Sequence, residues 1–223
     1  MRHTDLTGES AEYVAAREDL RLAEIELMRQ RERVARQRRD LPPGPVVPNY
    51  VLRDGNGPVT LDELVTDRPL IVYHLMYGKR QTTPCPMCTM WIDGFNGVAQ
   101  HIARNVDLAI VAAAEPDDLD RYGRERGWDQ LRLLSAGDST FKRDLRSEDE
   151  DGNQDSTVSV FVRDDDGVVR HHYTAHPRMA EDIQERGIDL LAPVWHLLDL
   201  TPAGRGDWYA GLDYGRLVSG SRT

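Results

Sequence analysis

The segment Thr82-Thr83-Pro84-Cys85-Pro86-Met87-Cys88-Thr89-Met90-Trp91 contains both cysteines of the chain, three positions apart. It follows the apolar run from Pro69 to Leu75, which is typical of a strand buried on both faces in a parallel sheet. A helix is predicted to begin at Pro86, because proline at the first helical position loses no hydrogen bond. Cys85 would then cap the helix, where unpaired backbone N–H groups and the helix dipole favour a thiolate over a thiol.

The second cysteine lies one helical turn further along the same predicted helix. Cys88 should be less exposed than Cys85, yet near enough to close a small ring with it. The pattern therefore predicts a redox dithiol in which Cys85 attacks a substrate and Cys88 resolves the mixed disulfide. This chemistry needs neither a metal nor a bound organic cofactor.

Two other interpretations of the cysteine pair stay open at this point. The pair is half of a zinc site if His74 or His101 supplies further ligands, although these histidines belong to separate predicted elements. Alternatively, both cysteines are inert and buried, for which a helix start directly after a strand is a poor location.

The surrounding sequence predicts a single α/β domain with helices on both faces of its sheet. The first buried strand, a helix from Pro86 to Arg104 and a second buried strand at Val106 to Ala112 form a right-handed unit with parallel strands. Further elements are a helix at Pro116 to Arg126, a short strand at Leu131 to Leu134, a hairpin of Val158 to Val162 and Val168 to Tyr173, and a helix at Ile188 to Leu198.

The two ends of the chain differ in composition from this domain. Residues 1–40 are dominated by one amphipathic helix with a narrow apolar stripe, which packs on its own domain or pairs with a second copy in a homodimer. Residues 41–48 contain four prolines and are expected to be a linker, so the domain spans residues 49–205. Residues 206–223 form a tail, and the acidic segment 147–156 is expected to be a mobile surface loop.

Composition narrows the cellular context. The chain has 28 basic residues, of which Lys79 and Lys142 are the lysines, and 38 acidic residues, for a net charge of −10. This balance argues against nucleic-acid binding, which needs a clustered cationic surface. No apolar run approaches the roughly 20 residues of a membrane helix, and residues 1–20 lack an apolar signal core. A cytoplasmic location without membrane contact is expected.

Several segments together resemble the DUF899 family of bacterial thioredoxin-like proteins. They are His74-Leu75-Met76-Tyr77, Cys85-Pro86-Met87-Cys88, Trp91-Ile92-Asp93-Gly94-Phe95 and Arg126-Gly127-Trp128. The resemblance implies a thioredoxin-like fold, a central mixed sheet with flanking helices, to which this chain adds the N-terminal helix. It also implies thiol–disulfide chemistry at Cys85 and Cys88.

Two features relate the chain to the wider superfamily. Thioredoxins place a cis-proline before the hairpin strand that faces the dithiol, whereas this chain has Thr157 there. Residues 131–141 resemble an insertion of peroxiredoxins, which also carry a threonine three positions before the reactive cysteine, as Thr82 precedes Cys85. Against a peroxidase, position 78 is glycine where that motif expects proline, and no arginine immediately precedes Val158.

We therefore expect a thiol–disulfide oxidoreductase that acts on a disulfide-containing substrate or a small thiol and is restored by an external reductant. A peroxiredoxin-like thiol peroxidase and a non-catalytic thioredoxin-fold binding protein are the alternatives. Besides the two cysteines, the residues expected to contact substrate are Thr82, Pro84, Pro86, Trp91 and Thr157.

Overall fold

A computed structural model gives the structure of residues 6–182 and 186–214. Contacts within the chain divide it into two units, Met1–Pro43 and Gly44–Thr223. The first unit contains one helix, α1 (Ala11–Arg39), which begins where the Ser10 side chain accepts a hydrogen bond from the Tyr13 backbone N–H. None of the residues of α1, all of which the structure describes, is buried.

The second unit is built on a seven-stranded mixed sheet, which confirms the predicted α/β architecture. Its strands are β1 (Val51–Asp54), β2 (Gly57–Thr60), β3 (Leu70–His74), β4 (Asp107–Ala112), β5 (Arg132–Ser135), β6 (Val158–Arg163) and β7 (Val169–Ala175). The order across the sheet is β2-β1-β5-β4-β3-β6-β7. Strands β3, β4 and β5 are parallel, while β6 and β7 form an antiparallel hairpin beside β3.

Helices cover both faces of this sheet. They are α2 (Leu61–Leu64), α3 (Pro86–Ile102), α4 (Pro116–Arg126), α5 (Phe141–Asp144) and α6 (Pro193–Asp199), with a 3-10 turn at Asp189–Leu191 before α6. The core on one face contains side chains of α3, α4 and α6. The core on the other face contains side chains of α2 and α5.

Strand β3 lies in the middle of the sheet, which explains its continuous apolar sequence. It pairs in parallel with β4, from Leu70 opposite Asp107 to His74 opposite Val111, and antiparallel with β6 on its other side. Leu70 and Val72 pack in one core and Tyr73 in the other. Because both faces and both edges of β3 are covered, it is a rigid support for the loop that leads to α3.

The structure adds one strand to the expected elements and refines two local expectations. Residues 57–60 form β2, which pairs with β1 through a tight turn at Asp54 to Gly57. The predicted helix over residues 188–198 is interrupted before Pro193, which lacks the N–H that a continuous helix needs and instead begins α6. The predicted linker contacts the sheet edge, because the His171 N–H donates to the Pro45 carbonyl at 3.1 Å.

The acidic segment 147–156 was expected to be a mobile surface loop, but several of its side chains are packed inside the protein. Ser147, Glu148, Gln154 and Ser156 are all buried. The Glu148 carboxylate accepts a hydrogen bond from Gln154 Nε2 at 2.8 Å and pairs with Lys79. These partners allow the Glu148 carboxylate to be buried, while Asp149, Glu150 and Asp151 remain exposed.

The described part of the chain contains no helix that is long and apolar enough to cross a membrane.

Candidate functional site

The loop between β3 and α3 places Cys85 at the start of the helix. Cys85 is the N-cap residue, with φ −63° and ψ 124°, and Pro86 is the first helical residue, as the sequence predicts. The Cys85 N–H donates to the Met76 carbonyl at 3.0 Å, and the Cys85 carbonyl accepts from the Thr89 N–H at 3.0 Å. The backbone around the sulfur is therefore fixed from both sides.

A glycine sets the path of this loop. Gly78 has φ +101°, and a Cβ at this position would lie 2.1 Å from the Ala114 backbone nitrogen. The Gly78 N–H and carbonyl both bond to Gln81, at 2.7 and 3.0 Å. Proline, whose φ is fixed near −65°, cannot adopt this conformation. Proline at position 78 would therefore require a different path of this loop.

The two sulfurs have different environments, although both are thiols and neither is part of a disulfide. Cys85 is 7% exposed and Cys88 is fully buried. Burial raises the pKa of the Cys88 thiol well above its ordinary value, and a hydrogen bond with Cys85 raises it further. The Met76 N–H, by donating to the Cys88 sulfur, acts in the opposite direction. Cys88 is thus held as a neutral thiol beneath Cys85.

A cavity of about 360 Å³ lies over Cys85. Its walls come from α3, from the end of the acidic segment and from the region around α6. The lining residues include Met76, Cys85, Met87, Trp91, Asp155, Ser156, Pro177, Arg178, Asp189, Trp195, Arg205, Trp208 and Tyr209. Part of the predicted tail therefore covers the dithiol, a role that the sequence left undetermined.

Paired charges hold the outer wall of the cavity. Arg178 bonds to the Asp155 carboxylate at 2.5 Å. Arg205 bonds to Asp189 at 2.7 Å and lies 4.9 Å from the ring centre of Trp195, in a cation–π contact. Each of these two guanidinium groups is therefore held in place by a carboxylate at the cavity wall.

The cavity contains only some of the residues that the sequence nominated for substrate contact. Cys85 and Trp91 line it. Thr82 is exposed, Pro84 is buried and Pro86 is half-buried, and none of the three lines the cavity. These assignments followed closeness in sequence, whereas the loop directs these three residues away from the opening.

Thr157 also lies outside the cavity lining, although the comparison with thioredoxins placed it opposite the dithiol. It is completely buried, its carbonyl accepts from the His74 N–H at 2.9 Å, and its Oγ1 has no partner among the described residues. Its neighbours Asp155 and Ser156 reach the cavity in its place.

Few features of the sequence indicate the rest of the cavity wall. Trp208 and Tyr209 stand out as aromatic residues among glycines, and that was the visible signal. Arg178, Arg205 and Asp155 belong to an arginine-rich and aspartate-rich chain, so nothing in their spacing distinguished them.

His74 is a core residue rather than a metal ligand or a base at the cavity. Its Nδ1 lies 2.8 Å from Ser147 Oγ and its Nε2 3.1 Å from Ser159 Oγ. Burial lowers the pKa of His74 well below its ordinary value, and the nearby charge of Lys142 lowers it further. Among the described residues, no group of three or more His, Cys, Asp or Glu side chains is arranged to hold a metal ion, so the zinc interpretation has no support.

Two of the motif segments that carry the family resemblance bond to each other. The Asp93 carboxylate accepts from Trp128 Nε1 at 2.8 Å and also pairs with Arg126. Arg126 in addition donates to the Leu212 carbonyl at 2.9 Å. Asp93 therefore links α3 to the end of α4. Arg126 links both helices to the chain at Leu212.

The parallel β3–α3–β4 unit, the adjacent β6–β7 hairpin and a Cys-X-X-Cys pair at the start of α3 define a thioredoxin-like protein. Residues 2–217 match the family described as bacterial proteins of unknown function, DUF899. The chain belongs to this family. A search of curated proteins found no match.

Solved structures of peroxiredoxins are similar to this one. Reduced Prx3 from Vibrio vulnificus in complex with H₂O₂ shares 19% identity and a TM-score of 0.48, over 66% of this chain and 97% of Prx3. Peroxiredoxin 5 from Alvinella pompejana shares 12% identity and a TM-score of 0.49, over 68% of this chain and 97% of that protein. Peroxidoxin BcpB from Mycobacterium tuberculosis shares 19% identity and a TM-score of 0.48, over 67% of this chain and 92% of that protein. Such distant similarity assigns no activity to this chain.

Proposed function

We propose that the protein is a thiol–disulfide oxidoreductase that uses Cys85 and Cys88. One observation carries the proposal: Cys85, at the N-terminus of α3, lines the cavity, while Cys88 lies beneath it in hydrogen-bonding contact with it. The helix terminus stabilises negative charge on the first sulfur. The Cys88 sulfur is near enough to displace a substrate sulfur that is bound to Cys85.

The reaction consists of two exchanges. The Cys85 thiolate attacks one sulfur of the substrate disulfide, forms a mixed disulfide and releases the other half of the substrate as a thiolate. Cys88 then attacks the Cys85 sulfur, forms the Cys85–Cys88 disulfide and releases the second half. Two electrons pass from the dithiol to the substrate, and an external thiol reductant returns them.

The shape of the site favours a small substrate. Cys85 is only 7% exposed and faces a cavity of about 360 Å³, within the usual range for small-molecule sites. A disulfide on the surface of a folded protein would have to displace the wall formed by Trp208 and Tyr209 before it met this sulfur. We therefore propose a small disulfide or thiol as the partner.

A thiol peroxidase is the second candidate, since a cavity of this size also admits a peroxide. Here the Cys85 thiolate attacks one peroxide oxygen, the O–O bond breaks, and the other oxygen takes up a proton and leaves as water or an alcohol, so that Cys85 becomes a sulfenic acid. Cys88 then attacks the Cys85 sulfur, forms the disulfide and releases the sulfenic oxygen as water. Arg178 and Arg205 at the cavity supply cations that the sequence lacks in front of Val158. Against this candidate, Thr82 is exposed and does not line the cavity.

Thiol titration with two substrates distinguishes these functions. The reduced protein is mixed with glutathione disulfide or with hydrogen peroxide, and free thiols and protein mass are followed with time. We expect the wild type to lose both thiols with the disulfide, Cys88→Ser to accumulate a mixed disulfide at Cys85, and Cys85→Ser to remain unreacted. Faster reaction with peroxide than with the disulfide would favour the peroxidase. Thiols that resist both reagents would leave a non-catalytic binding protein.

A free dithiol of this kind suits a reducing compartment. We accordingly propose that the protein acts in the cytoplasm, where thiol reductants can regenerate it.

A further inference from the structure

Lys142, in the short helix α5, is a buried cation close to the dithiol. Its side chain is 1% exposed, which is rare for lysine. The ammonium donates to the Leu75 carbonyl at 3.3 Å, directly after the end of β3. The mechanism described above gives this residue no role.

One peptide group joins this ammonium to the resolving cysteine. The carbonyl of the Leu75–Met76 peptide accepts from Lys142, and the N–H of the same peptide acts on Cys88 to lower the pKa of its thiol. A cation at the carbonyl end polarises an amide and strengthens its N–H as a donor. The positive end of the amide is therefore directed at the sulfur that must ionise.

Several other ionisable groups surround this pair. Glu148 and Asp155 act on Lys142 from the acidic segment, and Lys79 pairs with Glu148. Cys85 and Tyr73 face Cys88, and His74, beside Lys142, stays neutral. Burial lowers the pKa of Lys142 to about 8, while the charges of Cys88 and Glu148 act to raise it. At neutral pH the ammonium form therefore predominates.

We propose that Lys142 is a positioning residue that acts through the Leu75–Met76 peptide to promote ionisation of Cys88 when Cys88 attacks the mixed disulfide on Cys85. This inference rests on the proposed dithiol function. In the step, the Cys88–Cys85 bond forms and the bond from Cys85 to the substrate sulfur breaks. The proton of Cys88 leaves with the departing thiolate, which becomes a thiol.

The test separates the two exchanges with 2,2′-dithiodipyridine, which releases a coloured thiopyridone at each step. The first release reports attack by Cys85, and the second reports attack by Cys88. In Lys142→Met, we expect the first phase to stay within about twofold of the wild type. We expect the second phase to slow about tenfold at neutral pH, equivalent to a pKa of Cys88 about one unit higher. Lys79→Met is the matched control, and both of its phases should stay within about twofold.

The pH profile of the wild type gives a measurement that does not depend on the folding of a variant. The second phase should accelerate with pH less steeply above about pH 8, where Lys142 loses its proton, and the first phase should not. A profile without this change, or a Lys142→Met variant whose phases are both slowed or both unchanged, would overturn the inference. Absence of a second phase in the wild type, so that it behaves like Cys88→Ser, would instead refute the dithiol function itself.

Discussion

Replacing Lys142 by methionine should stabilise the protein at neutral pH. Burial lowers the pKa of Lys142 from 10.5 to about 8, a difference that corresponds to roughly 3 kcal/mol. Methionine fills a similar volume without charge, but it loses the hydrogen bond to the Leu75 carbonyl, which contributes about 1 kcal/mol. Near pH 7, Lys142→Met should therefore raise the free energy of unfolding by about 2 kcal/mol.

The pH dependence of this difference has a defined sign. Between about pH 8 and pH 10.5 the unfolded chain holds a proton on Lys142 that the folded protein has released, so the stability of the wild type rises with pH through this window. The cost of burial is fully present below about pH 8 and absent above 10.5. The advantage of the variant should consequently shrink by roughly 3 kcal/mol across the window.

Urea denaturation of both proteins from about pH 7 to about pH 10 measures this difference. Tyrosines titrate in both proteins, and a Cys88→Ser background removes the cysteine whose ionisation Lys142 is proposed to affect, so comparing the two at each pH isolates the contribution of Lys142. Two parallel stability curves would refute the reasoning, as would a wild type that loses stability relative to the variant while the pH rises.

Three further predictions concern the loop, the helix connection and the N-terminal helix. Gly78→Ala should destabilise the protein by about 3 kcal/mol or more, because its Cβ would lie 2.1 Å from a backbone atom. The control Gly127→Ala, at φ +70° in open space, should cost about 1 kcal/mol. Equal shifts in the urea midpoint of the two variants would contradict this prediction. Asp93→Ala leaves a buried indole N–H unpaired and should cost about 1–3 kcal/mol, so an unchanged thermal midpoint would argue against it. We also propose that α1 pairs with α1 of a second copy through Leu20 and Leu27. These two residues are seven positions apart, and both are exposed in the structure. The wild type should then be a dimer by light scattering and the Leu20→Glu/Leu27→Glu variant a monomer, and a monomeric wild type would exclude the pairing.

The parts of the fold that the sequence predicts are those set by local signals. The apolar run before Leu75 identifies a central strand because no exposed strand tolerates such a sequence. Proline directly after Cys85 fixes the start of α3, and Gly127, with φ +70°, ends α4 as expected. Each of these signals acts within a few residues, so neighbouring sequence is sufficient to recognise it.

The parts that escape prediction depend on distant segments. Helix α5 has four residues, too few for an apolar period to be visible. Burial of Lys142 requires the carbonyl of Leu75, far away in sequence, to be in place. The cavity also depends on distant segments, since Asp155 and Arg205 both line it only when the chain is folded. Sequence reasoning therefore located the sulfurs but not the wall around them.

The wall contributed by Trp195, Trp208 and Tyr209 has a consequence for biosynthesis. The ribosome delivers these residues long after Cys85 and Cys88, so a nascent chain carries its dithiol uncovered. Cellular oxidants can reach both sulfurs during that interval, and chaperones that bind apolar surface can shield them. In the folded protein the same aromatic residues line the cavity over Cys85.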